Sequence, residues 1–104
     1  MTKRDIVLDL SKNPDIKLNQ QEIMGVLQAS LESITRALAR SETVELRNFG
    51  VFDVVARKPR MGRNPRNPDV DVPIPAKAIV KFRPGKEMRE QVSMLPPPGL
   101  DANA

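Results

Sequence analysis

Arg57-Lys58-Pro59-Arg60-Met61-Gly62-Arg63-Asn64-Pro65-Arg66-Asn67-Pro68-Asp69-Val70-Asp71-Val72-Pro73-Ile74-Pro75 is the stretch on which the reading of this chain turns. Residues 56–76 hold five of the ten prolines and five basic side chains (Arg57, Lys58, Arg60, Arg63 and Arg66), with Met61 the one large apolar residue before Val70. Such a stretch has nothing to put in a core. Its ends alternate as strands do, while Gly62 to Asp69 is turn chemistry, which predicts a two-stranded ribbon projecting from a folded body. Roughly 10 residues per side at ~3.3 Å each give a reach of about 30 Å.

Working outward, Val44 and Leu46 alternate with Glu45 and Arg47, and Asn48-Phe49-Gly50 makes a tight connection into Val51–Val55, a hairpin. On the other side, Ala78–Phe82 reads as a third strand, and Arg83-Pro84-Gly85 leads into a short helix with Met88 and Val92 on one face. Before the hairpin come two helices. Thr2 and Asp5 form a capping box for the first, which carries Ile6, Val7 and Leu10 on one face and ends at Asn13-Pro14-Asp15. Asn19 and Glu22 cap the second, whose Ile23, Val26, Leu27, Leu31, Ile34 and Leu38 repeat at three and four residues up to about Arg40. The folded domain is expected over residues 1–95, and a Pro-rich, disordered tail over 96–104.

The length of 104 residues, 39% hydrophobic and 29% charged, suits one small domain. With no cysteine and no histidine, disulfides, zinc-thiolate sites and the usual general base are absent, so no cofactor, metal or enzyme activity is expected. Asp69 and Asp71 read as solvated charges and not as a Mg²⁺ site. No apolar run is long enough for a membrane span or a secretory signal, and a cytoplasmic protein is expected. The net charge of +4 is unevenly spread. Residues 47–89 carry eleven basic and four acidic side chains, +7, whereas residues 1–46 carry six and seven, −1. A basic block on strand-like, proline-rich sequence points to a polyanion. The five positive charges from Arg57 to Arg66, with no acid among them, repel one another until something neutralises them. Without ribbon and tail the body has roughly 70 residues and a helix apolar on more than one face, which predicts an obligate dimer.

Four features together resemble the HU and integration-host-factor group of bacterial nucleoid-associated DNA-bending proteins: Asn48-Phe49-Gly50-Val51-Phe52, Gly62-Arg63-Asn64-Pro65, Phe82-Arg83-Pro84-Gly85-Lys86, and the two-helix start. They span about residues 2–94 in that family's order. The resemblance implies an α+β fold: two N-terminal helices, a three-stranded antiparallel sheet with a long protruding β-ribbon arm (about 56–76), and a short C-terminal helix. It also implies an intertwined dimer whose arms enter the minor groove of double-stranded DNA, with Pro65 as the wedge between base pairs. Arg57, Lys58, Arg60, Arg63, Asn64 and Arg66 are then the arm contacts, the flat guanidinium suiting a narrow groove. Lys3, Arg47, Lys77, Lys81, Arg83 and Lys86 would flank the duplex as phosphate contacts, with backbone N–H groups from Asn48 to Gly50 and at Gly85. Phe49, Phe52 and Phe82 are assigned to packing.

The chain departs from the family pattern after the wedge. Arg66-Asn67-Pro68-Asp69 stands where a small polar residue, Thr and Gly are usual, and the stretch to Phe82 is one residue longer, so Pro68 competes with Pro65 for the wedge. The expected function is non-enzymatic: a nucleoid-associated protein that binds and bends duplex DNA with little sequence preference and no small-molecule substrate, as a homodimer, pairing with a paralogue being open. The alternatives are a site-selective subunit of the host-factor type, and a basic scaffold for RNA or an acidic protein.

Overall fold

Both helix starts form as their side chains dictate. In the computed structural model, which describes residues 1–99, the Asp5 N–H donates to Thr2 Oγ1 (3.3 Å) and the Thr2 N–H to Asp5 Oδ2 (2.7 Å), opening α1 (Lys3–Ser11). The same exchange links Asn19 and Glu22 at 2.8 and 3.0 Å and opens α2 (Gln20–Ala39). α1 stops at Ser11, before the expected Asn13-Pro14-Asp15 break, and Asn13 Oδ1 instead accepts from the Asp15 N–H (2.9 Å) in the connection. Helix α1 packs on α2, burying Val7 and Ile23. These elements make up a helical unit, Met1–Arg40, and the rest forms a second unit from Ser41 onward.

In the second unit, β1 (Val44–Leu46), β2 (Gly50–Arg57) and β5 (Lys77–Pro84) form an antiparallel sheet in the order β1-β2-β5, and β3 (Arg60–Asn64) and β4 (Asn67–Ile74) form a two-stranded sheet of their own. The β1–β2 turn carries Asn48 at φ 70°, and the Phe49 N–H donates to the Leu46 carbonyl (2.9 Å). A positive φ at the third turn position favours Gly or Asn. After β5, Gly85 caps α3 (Lys86–Ser93), and its N–H donates to the Phe49 carbonyl (2.8 Å), tying the turn to the helix start.

The arm begins later than the sequence suggests. Residues 56 and 57 still pair with 78 and 77, so β2 and β5 run past the expected ends at Val55 and Ala78, and the ribbon occupies Arg60–Ile74 in place of about 56–76. Backbone pairing is indifferent to the charge of Arg57 and Lys77. What ends it is Pro59 and Pro75, which have no N–H to give to a ladder. The longer arm strand, eight residues, spans about 26 Å at ~3.3 Å each, short of the expected 30 Å. Of the expected tail, Pro98-Gly99 form a turn with Gly99 at φ 80°, and residues 100–104 lie outside the described residues.

Register sorts the body sheet into two faces. Gly50, Phe52, Val54, Ala78, Val80, Phe82 and Pro84 share one, and Phe82 contacts Phe52 and Phe49 with ring centroids 4.7 and 5.7 Å apart. The three rings pack on one another, with Phe49 and Phe82 still partly exposed. Gly50 is buried because Phe82 lies over it: a Cβ there would sit 2.5 Å from the ring and 2.7 Å from the Arg83 carbonyl oxygen. Gly50→Ala is therefore expected to cost about 1–3 kcal/mol through overpacking, read as a lowered denaturant midpoint with helix content retained below it.

Candidate nucleic-acid interface

The opposite face of the body sheet carries Val51, Asp53, Val55 and Arg57 on β2 with Lys77, Ile79, Lys81 and Arg83 on β5. Four of the expected contacts, Arg57, Lys77, Lys81 and Arg83, are thus brought to one face. Arg57 stands directly across from Lys77 at the end that leads into the arm. Like charges directly opposed destabilise a strand pair, so this arrangement favours a bound anion.

At the other end of the sheet, Arg83 is not a free cation. Its Nη2 donates to Asp53 Oδ2 at 2.6 Å, and Asp53 Oδ1 accepts from Thr43 Oγ1 at 2.9 Å. Asp53 pairs with Lys81 and is a diagonal neighbour of Arg83 on the same face. The carboxylate fixes the guanidinium's place on the sheet while leaving it 60% exposed. Asp53 is the residue the sequence reading passed over. Its signal was an acid on the polar phase of a strand whose partner strand carries Lys81 and Arg83 on that phase. Lys86 pairs with Glu90 at 4.0 Å, an exposed contact too long to hold the ammonium firmly. Arg47, Asn48 and Gly50 lie at the β1–β2 turn beside the start of α3, and Lys3 lies at the start of α1 in the helical unit.

The arm tip is a two-residue turn. Asn64 pairs with Asn67, Pro65 and Arg66 form the connection, and the Arg66 N–H donates to Asn64 Oδ1 (3.0 Å), which closes the turn from within. Arg63 pairs with Asp71, so Pro68, Asp69 and Val70 bulge from β4 where β3 has no residue between Arg63 and Asn64. Extra length is taken up on the returning strand, and Pro68 sits on that flank while Pro65 sits at the corner. Arg60 and Lys58 lie at the arm's base, Lys58 between β2 and β3. Gly62 faces Ile74 so closely that a Cβ would stand 2.5 Å from its Cδ1, keeping the ribbon thin. Among the described residues no group of Asp or Glu is placed to hold a metal ion.

Comparison with known proteins decides what this frame is. Residues 1–93 match the family model of bacterial DNA-binding proteins. The chain belongs to the HU family. Probable HU proteins of Chlamydia pneumoniae and Chlamydia trachomatis are each 41% identical over 92 residues, 88% of this chain and 90% of theirs. Among solved structures, HU from Anabaena in a cocrystal with DNA is similar with a TM-score of 0.82 at 34% identity, over 93% of this chain and all of that one. A mutant HU from Thermotoga maritima has a TM-score of 0.60 at 27% identity, over 88% and 99% of the two chains. HU proteins are architectural and non-enzymatic, and the α+β fold expected from the sequence is the fold found. Among the described residues no helix is long and apolar enough to cross a membrane.

The opposed Arg57 and Lys77 generate a prediction with two signs. Lys77→Gln should raise the stability of the free protein by about 0.2–1 kcal/mol and at the same time weaken duplex binding on every sequence, lowering the salt slope by about one. Chemical denaturation and binding titrations at several salt concentrations measure the two.

Proposed function

We propose that this HU-family chain binds double-stranded DNA through the minor groove and bends it by inserting Pro65, with little sequence preference, as a nucleoid-associated cytoplasmic homodimer. The observation that carries the reading is the arm tip: a proline at the corner of a closed two-residue turn, flanked by Arg63 and Arg66, at the end of a thin ribbon. A proline ring is a rigid apolar slab with no rotamers to lose and no N–H to leave unsatisfied in a base stack. Wedging of this kind, for which HU is itself a standing example, costs about a few kcal/mol per unstacked step, offset by the surface the bent duplex presents.

Arg57, Lys58, Arg60, Arg63, Asn64 and Arg66 then line the groove. Guanidinium groups suit its narrow, strongly negative cleft. Lys3, Arg47, Lys77, Lys81, Arg83 and Lys86, with backbone N–H groups at Asn48 and Gly50, hold phosphates, which set register without reading sequence. Minor-groove edges distinguish little beyond A·T from G·C, which accounts for weak specificity.

The homodimer is supported by what a single chain leaves uncovered. Val7 and Ile23 are the buried hydrophobic side chains among the described residues, while Val80 and Val92 are 56% and 58% exposed. An apolar groove of about 420 Å³ runs between β5 and α3, lined by Phe82, Pro84, Met88 and Val92. A second of about 330 Å³ on the helical unit is lined by Leu10, Ile16, Leu18, Ile23, Val26 and Leu27. A two-fold dimer covers each patch with surface of the same chain. On this reading the folded domain is 1–95 and the remainder a tail.

Energy transfer across a short end-labelled duplex tests the mechanism, on random and on nicked or mismatched sequence. Saturating, salt-sensitive bending is expected, stronger on the flexible substrate. Pro65→Ala should reduce the bend more than the affinity, and Pro68→Ala should leave the bend intact; the reverse outcome moves the wedge to Pro68. Duplex RNA, with its wide, shallow minor groove, should compete poorly, and effective competition would favour an RNA scaffold. Sedimentation equilibrium should return twice the chain mass of 11.6 kDa.

A further inference from the structure

The arm's charge is divided by strand. Residues 57–66 carry five basic side chains and no acid, and residues 67–76 carry Asp69 and Asp71 and no base. The register then brings one acid against one base, because Arg63 is directly paired with Asp71. Directly paired residues project from the same face of a ribbon with their Cβ atoms about 5 Å apart, within reach of an ion pair between these two side chains. Asp69 lies in the bulge, without a strand partner. Both acids are exposed, as is Arg63.

We infer that Asp71 is an affinity-setting residue: it stands across from Arg63 in the register and competes with DNA for that guanidinium, so that its negative charge opposes the transfer of Arg63 to the duplex. The inference rests on the proposed role of the arm in DNA binding. Its consequence is an arm that holds DNA more weakly than its arginines alone would, by an amount set on the returning strand. A charge facing a polyanion also disfavours the bound state directly, and a double-mutant cycle separates the two effects, because direct repulsion by Asp71 cancels in the cycle and competition for Arg63 does not.

The experiment measures binding of the full chain to a short duplex of random sequence by fluorescence anisotropy across a salt series. The variants are Arg63→Ala, Asp71→Asn, their combination, and Asp69→Asn. Asp71→Asn is expected to tighten binding about two- to fivefold at low salt, and by more than Asp69→Asn. Arg63→Ala is expected to cost a larger factor when Asp71 is already neutral than when it is present. An equal factor in both backgrounds overturns the competition while leaving the arm as a DNA contact. If Arg63→Ala costs nothing in either, the role of the arm tip fails and the inference with it. Asparagine is a poor strand former, so Asp71→Thr repeats the cycle with a good one, and thermal melts confirm that each variant is folded at the assay temperature.

Discussion

A backbone nitrogen without a hydrogen shapes this chain more than any side-chain contact. Between Gly50 and Pro84 the sequence could form one long hairpin, since β2 and β5 pair without interruption from the turn end to Arg57 and Lys77. Pro59 and Pro75 interrupt it at nearly the same level on both sides, and the pairing resumes as a separate two-stranded sheet beyond them. Residues past that break gain no third strand and no buried face, so the arm is held by its own ladder, the Asn64–Arg66 hydrogen bond at its tip and the close approach of Ile74 to Gly62. Arm and body are separable because the ladder is cut, and a thin two-stranded ribbon follows from that cut.

The body sheet meets two different requirements on its two faces. Phe52 and Phe82 stack on one, with Gly50 giving way beneath the Phe82 ring, and Arg57, Lys77, Lys81 and Arg83 occupy the other. Period-two alternation is what permits this, since a slip of one residue would exchange the faces. On the basic face Asp53 acts as an internal counter-charge, holding Arg83 in place through a 2.6 Å ion pair that Thr43 supports. An exposed pair of that kind adds little stability. Its use is geometric: it keeps one cation in a defined position at the end of the sheet opposite the arm.

Much of this was legible in the sequence, for identifiable reasons. The capping residues Thr2, Asp5, Asn19 and Glu22 act within four residues, and local rules predict local geometry. The hairpin and the arm were legible because their turn residues and alternation are also local. The arm's exact limits were not, because where a ladder stops depends on which residue faces which, a non-local fact. The same holds for the bulge at Pro68 to Val70, which leaves Pro65 at the corner of the tip and Pro68 on its flank, and for Asp53, whose partner lies thirty positions away. Charge totals do not say which basic side chains have partners. Register shows that Arg83 is engaged and that Arg57 and Lys77 are set against each other.

Two kinds of unfinished business in the single chain have a common form. Apolar surface on α2, β5 and α3 is left uncovered, and like charges are opposed at the base of the arm. Each is a local cost that association would remove, the first through the proposed second copy and the second through a polyanion. Anything that binds the folded chain and not the unfolded one stabilises it by mass action. On the proposed dimer, a domain with so few buried side chains among its described residues would draw stability from the same partners that give it its function. Tightening the free chain, by covering the apolar faces or separating Arg57 from Lys77, would remove part of the drive to bind. On the proposed dimer, the sparse packing of the single chain would then couple its assembly and its DNA binding to its stability.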